Sequence, residues 1–252
     1  MNQVPAERRV EVFGLHVFND DLATIPLHET GGDRCRTVTT ISPNSYGIAT
    51  KDRAFWEALK AADYLVLDGV YFGLAAILLK RKTIRPNQGP DVFDHFMARL
   101  NAEGGRAFFL GASQKTLDLI RARAAELYPN IVVETLSPPY KPEFSEAENG
   151  AMIEAVNAFA PDVLFIGMTA PKQEKWAFLH QSRLKAGLAV SIGGVFDWFA
   201  NDERIAPIWW KLKLGWLVRT IQRPEILKRY PNIGIFFWHL ALALVGIRRS
   251  PA

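Results

Sequence analysis

The chain has 252 residues, 49% of them apolar and 22% charged, which excludes global disorder and suffices for one large domain, or a main domain with an appendage, around a sizeable core. The formal charge of +4 is unevenly spread: from Arg204 onward Arg204, Lys211, Lys213, Arg219, Arg223, Lys228, Arg229, Arg248 and Arg249 face one acid, Glu225, so residues 1–203 carry −4. Cys35 is the lone cysteine, which excludes an intramolecular disulfide and fits a reducing compartment.

At the N-terminus MNQVPAERRVEVFG has no apolar core of signal-peptide length and reads as mature protein. The strand-like run TVTTI leads into Ser42-Pro43-Asn44, a hydroxyl and an amide that equally suit an ordinary turn. YLVLDG, 64–69, reads as a buried strand ending in Asp68. A carboxylate after four apolar residues would be partly desolvated, as a general base requires, although Asp68 could also cap a helix starting near Val70. Asp91, in GPDVFDHF, reads as a helix N-terminal acid.

From residue 106 one pattern recurs: a short apolar run, a glycine turn, then helical spacing. RAFFLGASQKTLDLIRARAAEL, 106–127, passes through Gly111-Ala112-Ser113 before Leu117, Ile120, Ala124 and Leu127 recur at helical intervals. IVVETL, 131–136, is a further strand; PDVLFI, 161–166, exits into GMTAPKQEKW; and LAVSIGGVFDWFA, 188–200, exits through Gly193-Gly194. Nearly continuous apolar strands alternating with helices predict an α/β fold, a parallel sheet with helices on both faces. Its ligands gather at the carboxyl ends of strands, so the exits at 69, 111, 167 and 193–194 should line one crevice. Gly111-Ala112 and Gly193-Gly194 would let backbone N–H groups approach a phosphate closely.

Beyond residue 204 the character changes. Pro207, Pro224 and Pro231 can each open a helix, which predicts an α/β domain over 1–204 and a helical appendage over 205–252. The run IGIFFWHLALALVGI, 233–247, is shorter than the roughly 20 residues of a spanning helix and suits a core or interfacial helix. Basic residues interleaved with Trp209, Trp210, Trp216, Phe236, Phe237 and Trp238 suit an anionic membrane surface. Nucleic acid could use the same side chains and a solvated basic face would need nothing more, but the membrane reading is preferred, with no nucleic-acid partner.

The chain lacks G-x-G-x-x-G, G-x-x-x-x-G-K-[ST], H-E-x-x-H, paired cysteines and a D-x-D dyad. A nicotinamide-dependent enzyme, a P-loop NTPase and a metal site are therefore disfavoured, and no cofactor is expected.

In order along the chain, SPN at 42–44, LDG at 67–69, GPD at 89–91, FFLGAS at 108–113, LYPN at 127–130, APKQEKW at 170–176, GGVFDWFA at 193–200 and RIAPIWWKLKLGWLVR at 204–219 resemble the WecG/TagA/CpsF family of bacterial glycosyltransferases. The resemblance implies a Rossmann-like, GT-E-like sheet with a C-terminal helical appendage. It implies metal-independent, inverting transfer from a UDP-sugar, of N-acetylmannosamine type or glucose, to a polyprenyl-pyrophosphate-linked saccharide in cell-envelope or exopolysaccharide synthesis. It places the enzyme peripherally on the cytoplasmic face of the plasma membrane. By position Asp68 matches the family's catalytic base, Asn44 an active-site Asn, and Ser42 a usual Thr. Gln173 matches the nucleotide-sugar site, and Arg219 and Arg229 match arginines that close over the diphosphate. Two departures bear on the sugar's identity more than on the reaction: Ile226 stands where a further Arg is common, and Arg85-Pro-Asn-Gln-Gly-Pro-Asp is one residue longer than the family's Arg-x-x-Gly-x-Asp. The alternative is a non-catalytic module that binds a nucleotide sugar or anionic lipid; a homo-oligomer is left open.

Overall fold

The computed structural model describes residues 5–28, 34–201, 209 and 224–247. Strands β1 (Arg9–Val12), β2 (Leu15–Phe18), β3 (Arg36–Ile41), β4 (Tyr64–Leu67), β5 (Arg106–Gly111), β6 (Val132–Leu136), β7 (Val163–Gly167) and β8 (Leu188–Ser191) form one sheet in the order β1-β2-β4-β3-β8-β7-β5-β6. Every pairing is parallel except β1 with β2. That edge hairpin is an addition to the expected parallel sheet. Its register pairs Val12 with Leu15, leaving a two-residue turn, Phe13-Gly14, with φ of 54° and 80°. Two positive φ values are what a tight hairpin needs to match strand twist.

β4 and β8 are buried along their whole length, as strands covered on both faces must be. Their side chains alternate between two layers. Phe109 and Phe165 pack with α4 (Gly89–Glu103), α5 (Gln114–Leu127) and α8 (Val195–Asn201) on one face. On the other, Phe108, Leu110, Leu164 and Ile166 meet α6 (Glu146–Phe159) and α7 (Lys172–His180). Beside them Ile41, Leu65 and Leu67 meet α1 (Pro43–Ala49), α2 (Arg53–Ala61) and α3 (Tyr71–Lys80).

The helix that the Pro231 signal predicts is α9 (Tyr230–Leu244), with Pro231 in its first turn after a 3-10 segment, Pro224–Arg229. It packs on the body. Phe236 is fully buried, with ring centroids 6.0, 5.8 and 5.4 Å from those of Phe13, Tyr46 and Phe72, and the Tyr46 hydroxyl lies 2.8 Å from His239 Nδ1. Gly47 allows the approach: a Cβ there would sit 2.2 Å from the Asn232 carbonyl oxygen. The expected helix at Pro207 lies outside the described residues, and no helix among those described is long and apolar enough to cross a membrane.

Candidate active site

Five neighbouring strands, β4, β3, β8, β7 and β5, end side by side. At about 4.8 Å per strand spacing their exits span about 19 Å, an edge long enough for an extended ligand. The chain leaves β5 for α5 on one face and β7 for α7 on the other, which makes the carboxyl ends of that pair a topological switch point. The same divergence recurs where β3 leads to α1 and β8 to α8.

Asp68 stands at the first exit, half-buried, its N–H donating to the Ile41 carbonyl at 2.9 Å. That bond sets it beside the start of α1. The capping alternative does not fit: the cap position of α3 belongs to Val70, which makes no side-chain cap bond. Next along the edge, Ser42 caps α1 in a reciprocal box: its Oγ accepts from the Ser45 N–H at 3.3 Å while Ser45 Oγ accepts from the Ser42 N–H at 2.8 Å. The Ser42 hydroxyl thus orients the helix that carries Asn44. Asn44 Oδ1 accepts from Asn232 Nδ2 at 3.2 Å, so α9 reaches the crevice mouth. Arg229, at the cap position of α9, is exposed one turn before Asn232. Arg219 lies outside the described residues.

At the β8 exit Gly193 has a φ of 35° and Gly194 has open space where a Cβ would be. The Gly193 N–H donates to Gln173 Oε1 at 3.0 Å. At the β5 exit the Ala112 N–H donates to the Gly167 carbonyl at 3.1 Å. These two donors, which the sequence offers to a phosphate, are spent inside the fold; the segments form a close-packed floor instead. Gly111 and Gly167 are paired in register, and a Cβ on Gly111 would meet the Gly167 carbonyl at 2.6 Å.

The polar string after β7 is tied down residue by residue. Pro171 takes the cap position of α7. Lys172 Nζ lies 3.5 Å from the Phe144 ring centre and donates to the Lys141 carbonyl. Gln173 and Glu174 are buried, each 5% exposed, and Gln173 Nε2 donates to Glu174 Oε1 at 2.8 Å. Lys175 pairs with Asp52 at 2.8 Å, and Trp176 Nε1 donates to buried Asn149 at 3.0 Å. Burial pushes the Glu174 carboxyl up to about 7 against the opposing effect of the Gln173 bond. Among the described residues its Oε2 and Thr39 Oγ1 have no hydrogen-bond partner, and both residues line a cavity about one water molecule in size.

Arg85 sits at the flank of the row, its guanidinium 2.6 Å from the Asp21 carboxylate and its N–H on Asn19 Oδ1 at 2.8 Å. Two residues on, Asn87 was missed in the sequence. Its N–H donates to the Leu67 carbonyl at 2.8 Å, its side chain is buried, and its Nδ2 has no partner among the described residues. Nothing in the lengthened Arg85–Asp91 segment marks it, since only its buried position distinguishes Asn87 from a turn residue. Asn232 was missed too, because nothing in a helical run says which end meets the body. Among the described residues no group of three or more His, Cys, Asp or Glu is placed to hold a metal ion.

A mostly parallel sheet, with a half-buried carboxylate and amide side chains at its carboxyl edge, is an α/β fold of the class in which ligands gather at strand exits. The profile described as "Glycosyl transferase WecG/TagA/CpsF family" matches residues 10–250, and the chain belongs to that family: it is a glycosyltransferase. It is similar to the N-acetylglucosaminyldiphosphoundecaprenol N-acetyl-beta-D-mannosaminyltransferases of Staphylococcus aureus strains MW2 and MRSA252. Each is 26% identical to it over 214 residues, which cover 84% of this chain and 82% of the relative.

Proposed function

We propose that this glycosyltransferase moves a sugar from a UDP-sugar to a polyprenyl-pyrophosphate-linked saccharide, with inversion at the anomeric carbon and Asp68 as general base. The observation that carries the reading is the setting of Asp68: a half-buried carboxylate at the β4 exit, beside the start of α1, whose Asn44 is met by Asn232 of the appendage. Asp68 takes the proton from the acceptor hydroxyl as its oxygen bonds the anomeric carbon, and the bond to the donor's diphosphate breaks on the opposite side. The S. aureus relatives are named for a beta-linked product, which inversion would give from an alpha-linked donor.

The donor lies along the exits of β8, β7 and β5. Gly194 admits it closely, Gln173 holds the Gly193 loop, and Arg219 and Arg229 meet the leaving diphosphate as charge-assisted donors. Arg85 acts at the flank. The donor is of N-acetylmannosamine type or glucose, and the enzyme works peripherally at the cytoplasmic face of the plasma membrane, in envelope or exopolysaccharide synthesis.

The test is transfer of radiolabel from a panel of UDP-sugars to a lipid-linked saccharide by the wild type and Asp68→Asn. Losing a positioned base costs about 10²- to 10⁴-fold in rate, so the variant should fall by that much while its melting temperature and UDP affinity hold. Full activity in the variant would remove Asp68 from the reaction, and transfer from no UDP-sugar would remove the donor class.

A further inference from the structure

Helix α3 is apolar all round. From Tyr71 to Leu79 it carries no charge, yet only Phe72, Gly73, Ala75 and Ala76 are buried in it. The other side exposes Tyr71, Leu74, Ile77 and Leu78, with Ile77 at 48%. A soluble helix normally turns polar groups outward, so an exposed stripe at this spacing marks a surface that meets something apolar.

The stripe is continuous with a second one. On α9 the exposed large residues are Tyr230, Phe237, Trp238 at 60%, and Leu244, and the Phe237 ring lies 6.0 Å from that of Tyr71. Both helices begin at the carboxyl edge of the sheet, α3 three residues after Asp68 and α9 two residues before Asn232, which meets Asn44. Exposed basic residues frame the joined patch, Lys80, Arg81 and Lys82 at the end of α3 and Lys228 and Arg229 before α9; of these Lys80 is held by Glu11 at 2.8 Å. An apolar face with a basic frame is complementary to an anionic bilayer, into which rings and aliphatic chains dip while cations meet head groups.

We propose that the outer face of α3 is a membrane-docking surface, joined through Tyr71 and Phe237 to α9, and that it seats the mouth of the crevice at Asp68 on an anionic lipid bilayer. The proposal rests on the reading of the acceptor as lipid-linked, but vesicle binding tests it without any transfer assay. The appendage alone then does not define the membrane contact.

The experiment is co-sedimentation of the full chain with phosphatidylglycerol–phosphatidylcholine vesicles, and with phosphatidylcholine alone. Wild type should bind the anionic vesicles, and less so as salt rises. Ile77→Glu with Leu78→Glu should lower binding at least about tenfold with an unchanged melting temperature, since both side chains already face water. Arg81→Glu with Lys82→Glu, which removes no apolar contact, should weaken binding at low salt by about fivefold or more for each charge. Ile77→Glu with Leu78→Glu should also keep transfer to a short-chain, water-soluble acceptor while losing transfer to a long-chain acceptor in vesicles. Undiminished vesicle binding by that variant would overturn the proposal, as would a wild-type dimer that the same change splits into monomers, since the face would then belong to a second copy. Absence of transfer by the wild type to either acceptor would instead count against the proposed function and leave the vesicle result standing.

Discussion

Gln173 holds the Gly193 turn from below: its Oε1 accepts from the Gly193 N–H at 3.0 Å while its Nε2 donates to Glu174 Oε1 at 2.8 Å. Both ends of one buried amide are spent, so what Gln173 does is fix where Gly193 stands, and with it Gly194, in the proposed donor site. Gln173→Ala leaves the Gly193 N–H only its 3.3 Å bond to the Ile166 carbonyl and takes the side-chain donor from Glu174 Oε1, which costs about 1–3 kcal/mol for a buried group left unpaired. Thermal unfolding and UDP calorimetry should both register the change, with lower stability and at least about tenfold weaker UDP binding. Unchanged UDP affinity in a folded variant would separate the turn from the donor site.

Glu174 makes stability depend on pH. Its carboxyl is raised to about 7 by burial from an ordinary value of 4.5. As pH rises from about 4.5 the unfolded chain gives up this proton first, so the folded state loses relative stability up to about pH 7 and no more above it. The loss amounts to about 3 kcal/mol. Glu174→Gln keeps an acceptor for Gln173 and cannot ionise. Denaturant curves of the two proteins should therefore diverge between about pH 4.5 and 7, the variant being favoured at the higher pH; parallel curves would show that Glu174 is not ionising within the fold.

The strands at 64, 106, 161 and 188 were legible because burial on both faces leaves almost uninterrupted apolar runs, and the glycine exits followed from them; the edge strand at 131, only partly buried, was legible from its β-branched run. The hairpin Arg9–Phe18 was not, since its strands have four residues each and a Phe-Gly turn is a weak signal. Asp68 was legible as a carboxylate ending a buried strand. Asn87 and Asn232 were not, because an amide carries no sign of its burial or of its tertiary partner. The string at 170–176 was legible as a marker but not as a structure. Sequence makes it a polar cluster, and the fold turns Gln173, Glu174 and Trp176 inward.

The last two members of that string should differ in cost. Lys175 and Asp52 are each about one-third exposed, so water screens their 2.8 Å contact, and Lys175→Ala should cost no more than about 1 kcal/mol. Trp176 fills a buried space and its Nε1 satisfies buried Asn149, so Trp176→Phe removes volume and strands an amide oxygen. A loss of about 2–4 kcal/mol follows from the two effects together. Chemical denaturation of both variants gives the ranking directly; an equal cost would mean that the ion pair is better shielded than its exposure indicates.

Gly47 decides whether α9 can dock. In an isolated helix Gly47→Ala would gain up to about 1 kcal/mol from propensity. Here the added Cβ would lie 2.2 Å from the Asn232 carbonyl oxygen and 2.7 Å from its Cα, and backbone cannot swing aside as a side-chain tip can. Overpacking of this kind costs about 1–3 kcal/mol, so the clash outweighs the propensity. The relief available is displacement of α9, which also breaks the 2.8 Å contact between Tyr46 and His239 and the 3.2 Å bond from Asn232 to Asn44. Gly47→Ala should lower the melting temperature by several degrees, speed proteolysis within residues 224–230, and reduce transfer. Tyr46→Phe, which leaves the packing and removes one hydrogen bond, should cost only about 1 kcal/mol and keep that segment protected. If Gly47→Ala instead melted higher with its activity intact, α9 would not be seated on α1 in solution, and the bond between Asn232 and Asn44 would lose its place in the site.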